Sequence, residues 1–156
     1  MPPILDPFAV LGKLASLPVE TYGQGELVLA GGSATGKLLI MTEGAVEVVR
    51  AGVRIAEIAE PGAVFGDLAV LLDQPHSADV RTLQPSTFRV ADGRTILRVD
   101  PTVTLYVAMI LAQRLDTVDS LLVEARSRLA QTAQPNRILR ETLDNIGATL
   151  QYGPPL

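Results

Sequence analysis

Apolar positions recur along this chain in three successive rhythms. Phe8, Leu11 and Leu14 fall at helical spacing within residues 5–16, with Asp6 before Pro7 as an N-cap and first-turn pair, and predict a short amphipathic helix. From about residue 18 to 99 the apolar runs shorten and turn residues separate them. Runs at 27–30, 37–41, 46–50, 53–58, 78–83, 87–90 and 95–97 read as strands, punctuated by Gly31-Gly32, Gly44, Gly52, Pro61-Gly62, Pro85 and Gly93. Short strands at near-regular spacing predict a barrel or roll, and Arg50-Ala51-Gly52-Val53 is its clearest hairpin turn. Residues 64–72 break that rhythm with a stretch long enough for only a turn or two of helix.

The third rhythm begins at Asp100-Pro101, an N-cap followed by proline at the first helical position, and predicts one long helix over about 101–133. Val103, Tyr106, Val107 and Ile110 suit its first turns to covering the roll. Leu111, Leu115, Val118, Leu122, Ala125 and Leu129 follow at alternating steps of four and three. Such an a/d seam packs either on the protein's own roll or on the helix of a second copy. Gln134-Pro135-Asn136 then punctuates, and Ile138, Leu139, Leu143, Ile146 and Leu150 predict a terminal amphipathic helix before a frayed end. The expected division is a domain over 1–133, long helix included, and a short helical tail over 134–156.

Composition narrows the chemistry. A chain of 156 residues suits one domain and buries roughly 70% of its unfolded surface, so it needs no disulfide or metal to hold a core. With no cysteine and one histidine, thiolate zinc sites and Cys nucleophiles are excluded, and a His cluster or Ser/His/Asp triad has a single imidazole to draw on. No nucleophile, base and metal constellation is visible, so an enzyme is not expected. Lys and Arg number 13 against 17 Asp and Glu, a net charge of −4, which disfavours nucleic acid as a partner. The N-terminus lacks the basic and apolar regions of a secretory signal, and no apolar run approaches the roughly 20 residues of a membrane span. A cytoplasmic location is the expectation.

Two motifs carry candidate chemistry. Gly31-Gly32-Ser33-Ala34-Thr35-Gly36-Lys37 has the spacing of a phosphate-binding P-loop, but Leu38 stands where Ser or Thr should hold magnesium and a strand follows instead of a helix. It reads as a glycine-rich loop between strands. The second motif runs through Phe65-Gly66-Asp67-Leu68-Ala69-Val70-Leu71-Leu72 to Pro75-His76-Ser77-Ala78. It resembles the phosphate-binding cassette of cyclic nucleotide-binding domains, whose usual form is Phe-Gly-Glu-(Leu/Ile)-Ala-Leu-Leu followed by Pro-Arg-(Ser/Thr)-Ala. Gly25-Glu26, Gly31-Gly32, Gly44 and Gln113-Arg114-Leu115 extend the resemblance over roughly residues 15–130. It implies a mainly β fold: an eight-stranded, jelly-roll-like β-roll with a short N-terminal helix, a cassette helix and a long C-terminal helix.

It also implies a site. An anionic cyclic phosphate taken out of water needs converging N–H donors and, ideally, a fixed positive charge. The N–H groups of Leu68 and Ala69 would supply donors and Gly66 the close backbone approach, with Phe65 the first residue of the motif. By resemblance Asp67 would accept from the ribose 2′-hydroxyl, and Ser77 with the backbone of Ala78 would close the other side. Thr117 and Ser120, with Glu124, are the polar residues of the long helix for contacting the base. Two positions depart from the family. Asp67 is one methylene shorter than the usual Glu. His76 stands where the family has Arg, and an imidazole with a reference pKa of about 6.5 is mostly neutral at pH 7. Losing a charged hydrogen-bonding partner costs about 1.5–3 kcal/mol, or roughly 10- to 150-fold in affinity. The expected function is therefore a non-catalytic regulatory module that binds cAMP or cGMP, needs no other cofactor, and signals through its C-terminal helices as a homodimer or to an effector protein. The alternative is a degenerate domain acting as a dimeric interaction scaffold without ligand.

Overall fold

The computed structural model describes residues 4–132 and 136–149. The chain divides into two compact units, residues 1–110 and 111–156.

The first unit opens with helix α1 (Pro7–Ala15) and strands β1 (Val19–Tyr22), β2 (Leu27–Leu29), β3 (Lys37–Glu43), β4 (Val46–Arg50), β5 (Val53–Ile58) and β6 (Val64–Phe65). Helix α2 (Asp67–Leu71), strands β7 (Asp79–Thr82) and β8 (Ser86–Asp92), helix α3 (Gly93–Val99) and the start of helix α4 (Pro101–Ala130) follow. Eight strands form two four-stranded antiparallel sheets, in the orders β1-β8-β3-β6 and β2-β7-β4-β5. The β-roll with its cassette helix is the architecture the strand spacing and the resemblance imply.

Leu29, Leu39, Met41, Val46, Phe65, Val80, Phe88 and Val90 form one interior cluster. Phe88 sits at its centre, edge-on to Tyr22 at 5.6 Å and to Phe65 at 6.1 Å between ring centroids. Strand β3 is buried on both faces over four consecutive residues. Leu39 and Met41 point into the cluster, while Leu38 and Ile40, on the alternate face, are equally inaccessible. An unbroken apolar run, and not an alternating one, is what such a strand requires, and each side chain so buried contributes about 1.5–3 kcal/mol.

Three expectations are corrected. Residues 95–97 are not a strand but lie in α3, because Asp92 Oδ1 accepts from Thr95 N at 2.8 Å and caps a helix there. Strand β1, absent from the expected runs, is read poorly from sequence because polar Glu20 and Thr21 fill a four-residue segment; its pairing with β8 decides it. In α1 the buried pair is Val10 and Leu14, one turn apart, whereas Phe8 (82%) and Leu11 (62%) are largely exposed. The caps at either end of the unit are as expected. Asp6 Oδ1 accepts from Phe8 N at 2.9 Å, and Asp100 Oδ1 accepts from Thr102 N and Val103 N at 3.0 and 3.2 Å.

The second unit holds the remainder of α4 and helix α5 (Arg137–Thr149), capped by Asn136, whose Oδ1 accepts from Ile138 N at 3.0 Å. The two helices fold back on one another. Arg126 Nη2 donates to Leu143 O at 3.0 Å while its Nη1 pairs with Asp144 at 3.1 Å. The long helix ends at Ala130, earlier than the expected boundary at about 133, while the predicted break at Gln134-Pro135, and Leu150 with the residues after it, lie outside the described residues. No single described helix is long and apolar enough to cross a membrane.

Candidate functional site

Strand β6 feeds the cassette. It pairs with β3, Leu39 opposite Phe65 and Ile40 opposite Val64, so Phe65 is locked into the core and the chain must turn immediately after it. Gly66 makes that turn at φ +83°, and a β-carbon there would stand 2.2 Å from the Lys37 carbonyl oxygen. Only glycine fits, on conformational and steric grounds together. Gly66 is also the N-cap of α2, with Val70 N donating back to Gly66 O at 3.1 Å. The N–H groups of Leu68 and Ala69 belong to the first turn, where a helix offers no internal acceptor. Asp67, the first helical residue, is buried, and Leu68 is half-exposed.

The loop after α2 returns to the same place. Gln74 N donates to Ala69 O at 3.0 Å, tying the loop to the cassette helix. His76 then pairs its backbone with the glycine-rich loop: His76 N donates to Ser33 O at 2.9 Å and Gly32 N donates to His76 O at 2.8 Å. Its ring is buried, with Cε1 3.5 Å from where a β-carbon on Gly66 would be. Nε2 lies 2.7 Å from Thr35 Oγ1, which also accepts from Lys37 N at 3.2 Å. The Thr35 hydroxyl and His76 Nε2 thus share one hydrogen bond, while a second lone pair of the same hydroxyl oxygen serves Lys37 N. Burial pushes the His76 pKa below its ordinary 6.5. His76 is thus a neutral, buried group at the mouth of the cassette and not a solvated loop residue.

The glycine-rich loop that supplies Thr35 is no P-loop. Lys37 opens strand β3, and its Nζ pairs with Glu20 at 2.8 Å. Beside the loop lies a cavity of about 330 Å³ bounded by Gly31, Gly32, Val49, Gly52, Ser77 and Asp79, with Ala78 also in its wall. That is the lower end of the range for small-molecule sites. Ser77 is exposed on it. Asp79, on the face of its strand opposite buried Val80, borders this cavity and accepts from Gly31 N at 2.6 Å. Arg81 points outward as alternation requires, and donates to Gly25 O at 2.8 Å.

The structure therefore brings Gly66 and His76 together, joined through the chain to Phe65, Asp67, Leu68 and Ala69 on one side and Ser77 and Ala78 on the other. Thr117 and Ser120 belong to the second unit and are exposed; the Thr117 hydroxyl donates to Gln113 O on its own helix. Thr35 is the participant that sequence reasoning missed. It lies 41 residues from His76, and no local pattern marks it.

Residues 19–99 match the family model of the cyclic nucleotide-binding domain, and that segment is the β-roll and cassette just described. The chain belongs to this family. It is 30% identical over 95 residues to the cAMP-dependent protein kinase regulatory subunit of Yarrowia lipolytica, covering 61% of this chain but only 25% of that relative. The chain thus spans about a quarter of the curated relative it matches. Among solved structures, the catabolite activator protein of Thermus thermophilus superposes with a TM-score of 0.62 at 24% identity, covering 97% of this chain and 89% of that one. A cAMP-bound PfPKA-R fragment gives 0.61 at 20% identity, covering 77% and 41%. At these identities the structural likenesses establish the fold.

Proposed function

We propose that the first unit is a non-catalytic sensor that binds a cyclic mononucleotide, cAMP or cGMP, at the cassette, and that its C-terminal helices transmit the bound state. The observation that carries this reading is Gly66, held at positive φ against the Lys37 carbonyl so that the first turn of α2 opens beside His76. The likeness to a regulatory subunit and to a cAMP-bound structure supports it. In this reading the N–H groups of Leu68 and Ala69 hold the cyclic phosphate, Asp67 accepts from the ribose 2′-hydroxyl, and Ser77 and the Ala78 backbone close the far side.

His76 sets the character of the site. Neutral and bonded to Thr35, it brings no fixed charge to a phosphate, so affinity falls by roughly 10- to 150-fold against a site with a guanidinium there. A phosphate nearby favours the imidazolium, so binding takes up a proton and strengthens as pH falls. Signalling requires that the nucleotide prefer one arrangement of the helices over another. Self-association through Leu115 and Val118, both about 40% exposed on α4, is the proposed homodimer contact, an effector protein the proposed partner, and the cytoplasm the proposed setting.

The neutral His76 also favours a second reading, a domain that has lost its ligand and serves as a dimeric scaffold. Calorimetric titration separates the two. A sensor gives saturable heat with cAMP or cGMP, weakened about tenfold or more in Asp67→Ala. A scaffold gives none with either nucleotide yet loses self-association when Leu115 is made polar.

A further inference from the structure

A second cavity lies on the other side of the β-roll, beneath α1. It measures about 540 Å³, within the range of small-molecule sites, and its wall is mostly aliphatic, with Val10, Leu14, Ile40 and Met109 among its members. Leu11 lines it while remaining 62% exposed, so the cavity opens beside that residue. Two hydroxyls in the wall are already committed: Tyr106 donates to Gly62 O at 2.5 Å and Thr42 to Thr87 O at 3.2 Å. Burial raises the Tyr106 pKa, so that hydroxyl keeps its proton.

Arg89 is the one charged residue in the wall among the described residues. It sits on β8 opposite Ile40 and is half-buried. Its Nη1 donates to Ala15 O and Leu17 O at 3.2 and 2.9 Å, closing the C-terminal end of α1. A guanidinium has five N–H donors, and Nη1 carries two of them. Among the described residues no carboxylate pairs with Arg89. A half-buried cation without a counter-ion, at the edge of an apolar cavity, is complementary to an anion attached to an aliphatic tail.

We propose that this cavity binds an aliphatic monocarboxylate, a fatty acid of medium chain length, with its tail among the α1 and β3 side chains and its carboxylate on Arg89. The site is separate from the cassette and independent of what the cassette binds. A single cation with no further uncommitted side-chain donor in the wall suits one carboxylate and not a phosphorylated or dianionic ligand.

The test titrates the full chain, labelled with [methyl-13C]methionine, with decanoate below its micelle concentration, following the Met109 methyl signal by NMR. Decanol at the same concentrations serves as the uncharged control. The proposal expects a saturable shift with decanoate, with decanol at least tenfold weaker, and Arg89→Gln weakening decanoate about tenfold or more while leaving decanol unchanged. Because Arg89→Gln also loosens the end of α1, the decanoate and decanol comparison on the unaltered chain stands by itself. No saturable shift with decanoate, or equal affinity for the two ligands, overturns the proposal.

Discussion

At Gly66 the backbone has no alternative residue, since both its φ of +83° and the Lys37 carbonyl exclude a β-carbon. Gly66→Ala is expected to cost about 1–3 kcal/mol, read as a lower urea midpoint with an unchanged slope, because strain of this kind is local. An unchanged midpoint would show that the turn is not fixed as described. His76 carries a pH signature of the unliganded fold. Its folded pKa lies below 6.5, so between those two values the unfolded chain takes up a proton that the folded chain does not. Stability is therefore full above about pH 6.5, falls as pH drops through that window, and levels off below the folded pKa. Thermal unfolding from pH 8 to pH 5 should show this decline in the unaltered chain, and a smaller one in His76→Gln. The residue types of the cassette were legible in the sequence because Phe65-Gly66-Asp67 and Pro75-His76-Ser77 are contiguous. The environment of His76 was not, since burial and the bond to Thr35 arise from a loop 41 residues away.

Elements were legible where periodicity was long or caps were explicit. The hairpin around Gly52, the apolar run of β3 and the Asp100 cap all follow from local pattern. The failures share a cause: 95–97 and β1 are short segments whose state is set by a neighbour, Asp92 for the first and β8 for the second. In α1 helical spacing was read correctly but the buried face was not, because Phe8 and Leu11 satisfy the same period as Val10 and Leu14. The a/d seam of α4 divides in two. Leu129 is buried and Leu122 and Ala125 half-buried within the second unit, while Leu115 and Val118 stay about 40% exposed. Leu143→Ala should cost about 2–5 kcal/mol and speed amide exchange along α5, since Leu143 is the residue that helix buries. Exchange in α5 equal to that of the unaltered chain would contradict the hairpin packing. Changing Leu115 and Val118 together to Glu should abolish self-association in sedimentation velocity without loss of helicity; an unaltered sedimentation coefficient would rule out that stretch as the contact.

For the whole molecule, the proposed function rests on a cyclic nucleotide-binding fold whose cassette, by its resemblance to the family motif, carries an imidazole at the arginine position. The fold supplies the roll, the left-handed glycine and the first turn of α2; what it lacks is a permanent charge. If the site works, that charge must come from a proton taken up with the nucleotide, and a guanidinium should supply it permanently. Calorimetric titration of cAMP and cGMP at pH 6 and pH 8, on the unaltered chain and on His76→Arg, tests this directly. The account predicts tighter binding at pH 6 than at pH 8 in the unaltered chain, and roughly 10- to 150-fold tighter binding at pH 8 in His76→Arg. Absence of binding by both proteins at both pH values would contradict it and leave the scaffold as the function of the fold.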